Sequence, residues 1–241
     1  MNKYELSTES ITVNGTVLYR VRALRDFARI KSGEIGGYIE SEMNLSHDGN
    51  CWVGESAEVS GNAYVSENAK VYGVAKVSGN VQVYGDVRIF GYAVISGDVQ
   101  VSGGAWVFED ARVYGNAQVC EGAWISGKAL VYGDAKVYGD AKVYGDARVY
   151  GNAKVSGFRV GGKAQVCGNA TIAGKVCVYG TACVCGDAHI SKYDITSDVP
   201  YYIHIRKNVK IDHGVWSQNL TIDGKSYMIS TTLEKVLMGY I

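Results

Sequence analysis

The amino-acid sequence predicts an all-β solenoid, in which short parallel strands stack coil upon coil. A β-branched aliphatic residue occupies every sixth position from Val53 to Val155, eighteen positions in all, and six more after a single five-residue step, from Val160 to Ile190. In most units the residues on either side of the aliphatic are polar or aromatic, which is the pattern of a strand with one buried side. In many units a Gly followed by Asp or Asn then supplies a corner that tolerates positive φ. Each six-residue unit therefore predicts one short strand and one turn.

Residues 51–191 form this repeat region. A strand so short cannot bury its apolar side alone, so the units must stack on one another. The recurring pattern V-[YS]-G-[ND]-A-x resembles the hexapeptide repeat of left-handed parallel β-helix proteins. That resemblance implies a single-stranded left-handed helix in which three units make one triangular coil of eighteen residues, so that twenty-four units make about eight coils. Residues eighteen apart then become neighbours in space. At the five-residue step, Phe158 predicts a local bulge or a wider corner.

Residues 1–50 do not follow the six-residue pattern and predict a small capping module. An Asn14-Gly15 turn favours a hairpin over residues 10–24. A short helical or irregular piece follows over residues 25–30. A solenoid exposes unpaired strand edges at its ends, and a module of this kind covers them.

Residues 192–241 also depart from the repeat and predict a second module, with a capping or assembly role. An Asp223-Gly224 turn favours another hairpin there, and residues 231–238 have a helical pattern. The apolar residues between 201 and 216 predict packing on the last coil or on a neighbouring subunit.

The lead-in to the repeats carries a second, closer resemblance. The stretch Ile30-Lys-Ser-Gly-Glu-Ile-Gly-Gly-Tyr-Ile-Glu, with its continuation from Asn44 to Val53, is similar to the lead-in of uncharacterised YdcK-like proteins of bacteria and phages. That family carries no established activity. The resemblance therefore implies a fold and a bacterial or phage source, and leaves the function open.

Composition excludes several classes of protein. The 24 basic and 24 acidic residues cancel, which argues against general nucleic-acid binding. The chain shows no apolar opening segment and no apolar stretch near eighteen residues, so we expect a cytoplasmic protein without a membrane partner. The six cysteines predict free thiols in a reducing compartment. Cys167 and Cys185 are eighteen apart, with Cys183 beside them, so a disulfide or a metal is conceivable, but the spacing matches no zinc pattern and we predict no metal and no cofactor.

One predicted face combines aromatic and basic side chains. Sorting the outward positions by their eighteen-residue period collects a set that we predict to bind a ligand or partner: Trp52, Lys70, Tyr72, Arg88, Phe90, Trp106, Phe108, Trp124, Lys142, Tyr144 and Arg159. Exposed aromatic stripes of this size usually mark a contact surface.

Two kinds of contact fit this face, and they can coexist. Aromatic side chains with Arg suit an interface between copies of the chain, and β-helix proteins of this type mostly form trimers, so a homotrimer is favoured. Stacking and cation–π contact suit an anionic, ring-containing ligand such as a nucleotide, or the surface of a host protein. The resemblance to phage proteins makes interference with a host pathway a biological setting for the second reading.

An acyltransferase is the alternative function. Enzymes of similar fold transfer an acyl group from acyl-CoA, with a His as general base beside a loop extruded from the helix. This chain has four histidines, His47, His189, His204 and His213, and none lies in such a loop. We therefore predict no catalytic residue and a non-catalytic binding protein.

Overall fold

Three parallel β-sheets form the body of the protein. The computed structural model describes residues 2–192 and three later strands, at 203–205, 210–211 and 215–217. It confirms an all-β solenoid of about eight turns. The helical content of the described residues is one 3-10 turn, Glu42–Asn44. Within the same part of the chain, no helix has the length and apolarity needed to cross a bilayer.

Each turn of the chain adds one strand to each sheet. Sheet 1 contains nine strands, at Trp52–Val53, Lys70–Val71, Arg88–Ile89, Trp106–Val107, Trp124–Ile125, Lys142–Val143, Arg159–Val160, Val176–Val178 and Ile203–Ile205. Sheet 2 contains twelve, at Tyr4–Val13, Thr16–Ala23, Ile35–Ile39, Glu58–Val59, Lys76–Gly79, Val94–Gly97, Arg112–Gly115, Leu130–Val131, Arg148–Val149, Gln165–Val166, Cys183–Val184 and Lys210–Ile211. Sheet 3 contains nine, at Tyr64–Val65, Gln82–Val83, Gln100–Val101, Gln118–Val119, Lys136–Val137, Lys154–Val155, Thr171–Gly174, His189–Lys192 and Val215–Ser217.

The recurring aliphatic residues fill the interior of the prism, as predicted. Val71, Ile89 and Val107 pair in register on one sheet. All twenty-four of the aliphatics from Val53 to Ile190 are at most 1% exposed. Each such side chain contributes about 1.5–3 kcal/mol of burial, so stability arises from the sum over coils.

Corner residues are also in register from coil to coil. Side-chain amides form a ladder along one corner, in which Asn62 donates to Asn80 at 2.8 Å and Asn80 donates to Asp98 at 2.6 Å. Beside it, Gly97 adopts φ +93, and a Cβ there would lie 2.7 Å from the carbonyl oxygen of Gly115. The corners are therefore joined by hydrogen bonds from coil to coil, and the glycine positions leave no space for a larger side chain.

The five-residue step shortens one corner without disturbing the sheets. Lys142 pairs with Arg159, a separation of seventeen residues, and Arg159 pairs with Cys177 at the usual eighteen. The strands stay in register and this corner has three residues instead of the usual four, so the prediction of a bulge or a wider corner is wrong. Gly157 is buried at this corner, where a Cβ would lie 2.8 Å from Ile172 Cγ2, and Phe158 is half-buried beside it. The corner accommodates the missing residue because Gly157, which has no side chain, takes the inward place.

The N-terminal hairpin continues sheet 2. Its strands pair antiparallel across the predicted Asn14-Gly15 turn, and the strand Ile35–Ile39 joins them to the first parallel rung, Glu58–Val59. The segment between the hairpin and that strand is irregular, with a bridge from Phe27 to Ile30. This module occupies the end of the prism that precedes the first coil.

A buried lysine connects the module to the first coil. Lys3 is 0% exposed, and its Nζ donates to the carbonyl oxygen of Cys51 at 2.9 Å and to the Cys51 Sγ at 3.0 Å. Burial lowers the pKa of Lys3 and raises the pKa of the Cys51 thiol. Beside them Tyr4 donates its hydroxyl to the carbonyl oxygen of Leu45 at 2.7 Å.

We expect Lys3→Ala to open this end of the prism. The variant leaves the Cys51 carbonyl oxygen buried without its donor, which costs about 1–3 kcal/mol in unfolding free energy. Urea denaturation will measure that loss, and iodoacetamide will label Cys51 faster than in the parent protein. Lys31→Ala is the matched control, since Lys31 is an exposed cation of the same module that pairs with Asp26. Equal effects of the two substitutions would contradict the role of Lys3.

Beyond residue 192, one strand is added to each sheet. Ile203–Ile205, Lys210–Ile211 and Val215–Ser217 pair in parallel with the last full coil. The parallel stack thus extends past the predicted end of the repeats at residue 191. The hairpin predicted at Asp223-Gly224 and the helix predicted over 231–238 lie outside the described residues.

Candidate functional site

The predicted aromatic and basic residues line the outer side of sheet 1. Strand register places Arg88 beside Lys70 and Trp106, and Trp124 beside Trp106 and Lys142. We call this surface the aromatic–basic face and define it by ten of the predicted residues: Lys70, Tyr72, Arg88, Phe90, Trp106, Phe108, Trp124, Lys142, Tyr144 and Arg159. Nine of them are half-buried and Arg88 is exposed.

Trp52, the eleventh predicted residue, does not belong to this face. It is 5% exposed, and its ring meets Phe27 of the N-terminal module edge-on at 5.4 Å. Gly36 packs directly on it, since a Cβ there would lie 2.6 Å from Trp52 Cζ2. The prediction is wrong for Trp52 because the N-terminal module covers the first rung of sheet 1.

Two columns of stacked rings run along the face. Tyr72, Phe90 and Phe108 stack nearly parallel, with centroids 5.0 and 4.9 Å apart. Trp106 and Trp124 stack at 4.9 Å in the adjacent column. The columns meet edge-to-face, with Phe90 6.1 Å from Trp106 and Phe108 6.1 Å from Trp124. Burial in this cluster raises the pKa of the Tyr72 hydroxyl.

Cations close both ends of the tryptophan pair. The Arg88 guanidinium carbon lies 4.7 Å from the centroid of Trp106, and Lys142 Nζ lies 4.5 Å from that of Trp124. Ion pairs within the described part of the chain do not involve Arg88, Lys142 or Lys70. The face therefore carries positive charge that no carboxylate among the described residues neutralises by direct pairing.

Ser126 interrupts the phenylalanine column and leaves room for one ring. The residues that follow the aliphatic on successive coils are Phe108, Ser126 and Tyr144. Because strands stack about 4.8 Å apart, the rungs of Phe108 and Tyr144 are separated by about 9.6 Å. A ring inserted at the Ser126 rung would therefore stack on Phe108 on one side, and Tyr144 leaves the other side open because its ring lies over Gly161 of the next coil. Strand register thus leaves the place of one ring empty in the column at Ser126, with Trp124 on the same strand and Lys142 on the next; we call this place the Ser126 slot.

Tyr144 leans away from this slot. Its ring covers Gly161, where a Cβ would lie 2.6 Å from Tyr144 Cζ, and it meets Tyr179 edge-on with centroids 6.3 Å apart. A hydrogen bond with Tyr179 raises the pKa of Arg159, and burial raises the pKa of Tyr179. Sequence reasoning missed Tyr179, although it lies eighteen positions after Gly161 in the same column.

One histidine lies in the N-terminal module and another in the last full coil. His47 stacks on Tyr4 with centroids 4.3 Å apart, and its Nδ1 accepts a hydrogen bond from the Lys3 backbone nitrogen at 3.3 Å. It therefore has a structural place at the covered end. His189 is half-buried on sheet 3, beside Thr171. His204 lies on the strand Ile203–Ile205, and His213 lies outside the described residues.

Cysteines on sheet 2 differ from the prediction of free thiols. Cys167 and Cys185 form a disulfide across neighbouring coils, with Cα atoms 4.5 Å apart. The prediction of free thiols is wrong for these two residues, and the disulfide that their eighteen-residue spacing left open is present. Cys183 Sγ lies 2.9 Å from Cys185 Sγ. A column of stacked tyrosines, Tyr114, Tyr132 and Tyr150, precedes the disulfide on the same side of the sheet.

The fold and this surface define the class of protein, which is a β-solenoid with aromatic and basic side chains on one outer face. A family model, the YdcK β-solenoid repeat, matches residues 81–97, 141–157 and 164–180. The chain is thus similar to YdcK β-solenoid proteins in its fold and in these three segments of its coils. The matched segments lie in the coils, whereas the resemblance to this family described above lies in the lead-in to the repeats. A search of curated proteins found no match.

Proposed function

We propose that this chain is a non-catalytic, oligomeric binding protein, and that its aromatic–basic face takes a planar anionic ligand of the nucleotide class. The Ser126 slot carries the proposal. It offers the thickness of one ring between Phe108 and the rung of Tyr144, next to the cationic Lys142. An aromatic base inserted there would continue the column, and its phosphate would lie within reach of a cation.

Rigidity of the face favours such binding. Stacked rings on the strands of a solenoid are ordered before a ligand arrives, so little side-chain entropy is lost on association. The faces of the tryptophan rings are already covered by each other, by Arg88 and by Lys142. The exposed face of Phe108 toward Ser126 is therefore the place for a further stacking partner.

Self-association is a second use of the same surface. The outer edges of Phe90, Trp106, Phe108 and Trp124 form a continuous apolar strip along sheet 1, and aromatic side chains with Arg are enriched at protein interfaces. A homotrimer of parallel prisms would place three such faces against neighbouring subunits. A ligand lodged in the slot could then be shared between subunits. A host protein or signalling nucleotide would be the target in a phage setting.

Acyl transfer from acyl-CoA remains the alternative reaction, and His189 is its only candidate base on the full coils. No loop leaves the prism between residues 52 and 192, where each connection between strands has at most four residues. The reaction needs an acceptor pocket beside that base. This arrangement favours the binding protein over the enzyme.

Ligand titration tests the proposal. We expect adenine and guanine nucleotides to quench tryptophan fluorescence saturably, because Trp124 borders the slot, and we expect the affinity to fall as salt rises. Acetyl-CoA contains an adenine nucleotide and is ambiguous alone, so acetyl-pantetheine, which lacks that half, is titrated beside it. Binding of nucleotide without acetyl-pantetheine supports the proposal.

Matched variants locate the binding. Lys142→Gln should weaken nucleotide binding by roughly tenfold, whereas Lys136→Gln, a lysine at the equivalent place on sheet 3, should not. Selective binding of acetyl-pantetheine together with acyl transfer lost in His189→Ala would establish the enzyme instead. Light scattering of the same samples gives the number of subunits.

A further inference from the structure

Three sulfur atoms converge on the outer side of sheet 2, away from the aromatic–basic face. The Sγ atoms of Cys167, Cys183 and Cys185 all lie within 4.8 Å of one another. Two of them form the disulfide, and the third lies 2.9 Å from Cys185. Cys167 is buried, and the other two are half-buried. The three sulfur atoms thus form one cluster on two adjacent coils.

Strand register holds the three cysteines together. Cys183 pairs with Gln165, and Val184 pairs with Val166, so that Cys185 follows on one rung where Cys167 follows on the previous rung. The Tyr150 hydroxyl donates to Gln165 Oε1 at 3.1 Å from the rung before. The sulfur positions are thus determined by the backbone of a rigid solenoid rather than by a loop.

We propose that these cysteines form a redox-gated binding site for one soft metal ion, such as Cu⁺ or Zn²⁺. The described structure is the oxidised form. In the reduced form, three thiolates on two adjacent strands would hold the ion. Thiolate ligands select soft and borderline cations over hard ones such as Mg²⁺.

Distances permit this coordination. A zinc–sulfur bond is about 2.3 Å, so ligand sulfurs in a tetrahedral or trigonal site lie about 3.8–4.0 Å apart. The three sulfurs already lie within 4.8 Å, and only side-chain rotation is needed once the disulfide opens. A tetrahedral ion would keep one position for water, which lies on the solvent side of the sheet.

The two states interconvert by a balanced exchange. A dithiol reductant supplies two electrons and two protons, so the Cys167–Cys185 bond breaks to two thiols while the reductant becomes a disulfide. Binding of the ion then releases the thiol protons. An oxidising disulfide takes the two electrons back, re-forms the Cys167–Cys185 bond, and leaves Cys183 as the sole thiolate. The ion is then lost, because one thiolate replaces three.

Cobalt titration of the full-length protein tests this inference. The protein is reduced with a phosphine, freed of reductant under anaerobic conditions, and titrated with Co²⁺. We expect thiolate-to-cobalt charge-transfer absorption that saturates at one ion per chain and is displaced by Zn²⁺. The oxidised protein should show no such absorption. Native mass spectrometry gives the stoichiometry independently.

Serine variants identify the ligands. Cys183→Ser should weaken binding at least tenfold while the Cys167–Cys185 disulfide still forms, which shows that the variant folds. Cys120→Ser is the matched control, since Cys120 is a half-buried thiol on sheet 3 and should leave binding unchanged. Equal binding by Cys183→Ser, or by the oxidised protein, would overturn the proposal, as would absorption that does not saturate.

Discussion

An Ile95→Asp substitution should prevent the solenoid from folding or cost at least about 5 kcal/mol of unfolding free energy. Ile95 lies on the third full coil, is 0% exposed, and pairs with Val77 and Val113. Loss of a buried isoleucine side chain costs about 2–5 kcal/mol, and an uncompensated buried charge adds about 3–5 kcal/mol. Among the described residues, the buried side chains around Ile95 belong to valine, isoleucine and alanine, and these offer the carboxylate no donor.

The penalty should depend on pH in one direction. Burial raises the pKa of the introduced carboxyl group above its value in the unfolded chain, so the folded variant binds more protons. Its stability relative to the parent is therefore best below the unfolded pKa of about 3.9 and falls as pH rises through the pKa of the folded state. Urea denaturation followed by circular dichroism at several pH values measures this trend.

Ser96→Asp is the control for this experiment. Ser96 is the next residue on the same strand and points outward, between Ser78 and Tyr114. An added carboxylate there remains in contact with water and should change stability little. If both substitutions destabilised the protein equally, the assignment of alternating inward and outward side chains would be wrong.

A solenoid distributes its stability over neighbouring coils, so disruption of one coil separates the stack into two parts.

Strand positions and core could be predicted from the sequence because one spacing rule decides them. Once residues eighteen apart are neighbours, the pairs Trp106–Trp124 and Asn62–Asn80 follow without further information. The hairpin turn at Asn14-Gly15 follows from local preference alone. These features depend on periodicity or on two adjacent residues.

Other features depend on contacts that periodicity does not contain. Trp52 is buried because Phe27 of the N-terminal module packs against it. The six-residue pattern does not predict the path of that module. The Cys167–Cys185 disulfide could be predicted as a neighbouring pair, but its oxidation state depends on chemistry outside the chain. The corner at Gly157 depends on which residue of the shortened unit takes the inward place, and that residue is a glycine.

A Ser126→Phe substitution should fill the slot and separate the two uses of the aromatic–basic face. The new ring would stack on Phe108 and continue a column whose existing members are 4.9–5.0 Å apart. Each aromatic pair contributes about 0.5–1.5 kcal/mol beyond its area, so the variant should be slightly more stable than the parent. Nucleotide binding should fall at least tenfold, since the added side chain occupies the place proposed for the base.

Ser102→Phe gives the comparison that makes this result decisive. Ser102 is half-buried and follows the aliphatic on sheet 3, as Ser126 does on sheet 1. It should add an outward ring without touching the aromatic–basic face, and nucleotide binding should persist. If Ser126→Phe bound nucleotide as well as the parent protein does, the slot could not be the binding site. Self-association would then be the function of the aromatic–basic face. If only Ser126→Phe both stabilises the protein and abolishes nucleotide binding, one empty place in the aromatic column explains both effects. An enzyme site on sheet 3 would not explain them, and neither would a surface used only for self-association.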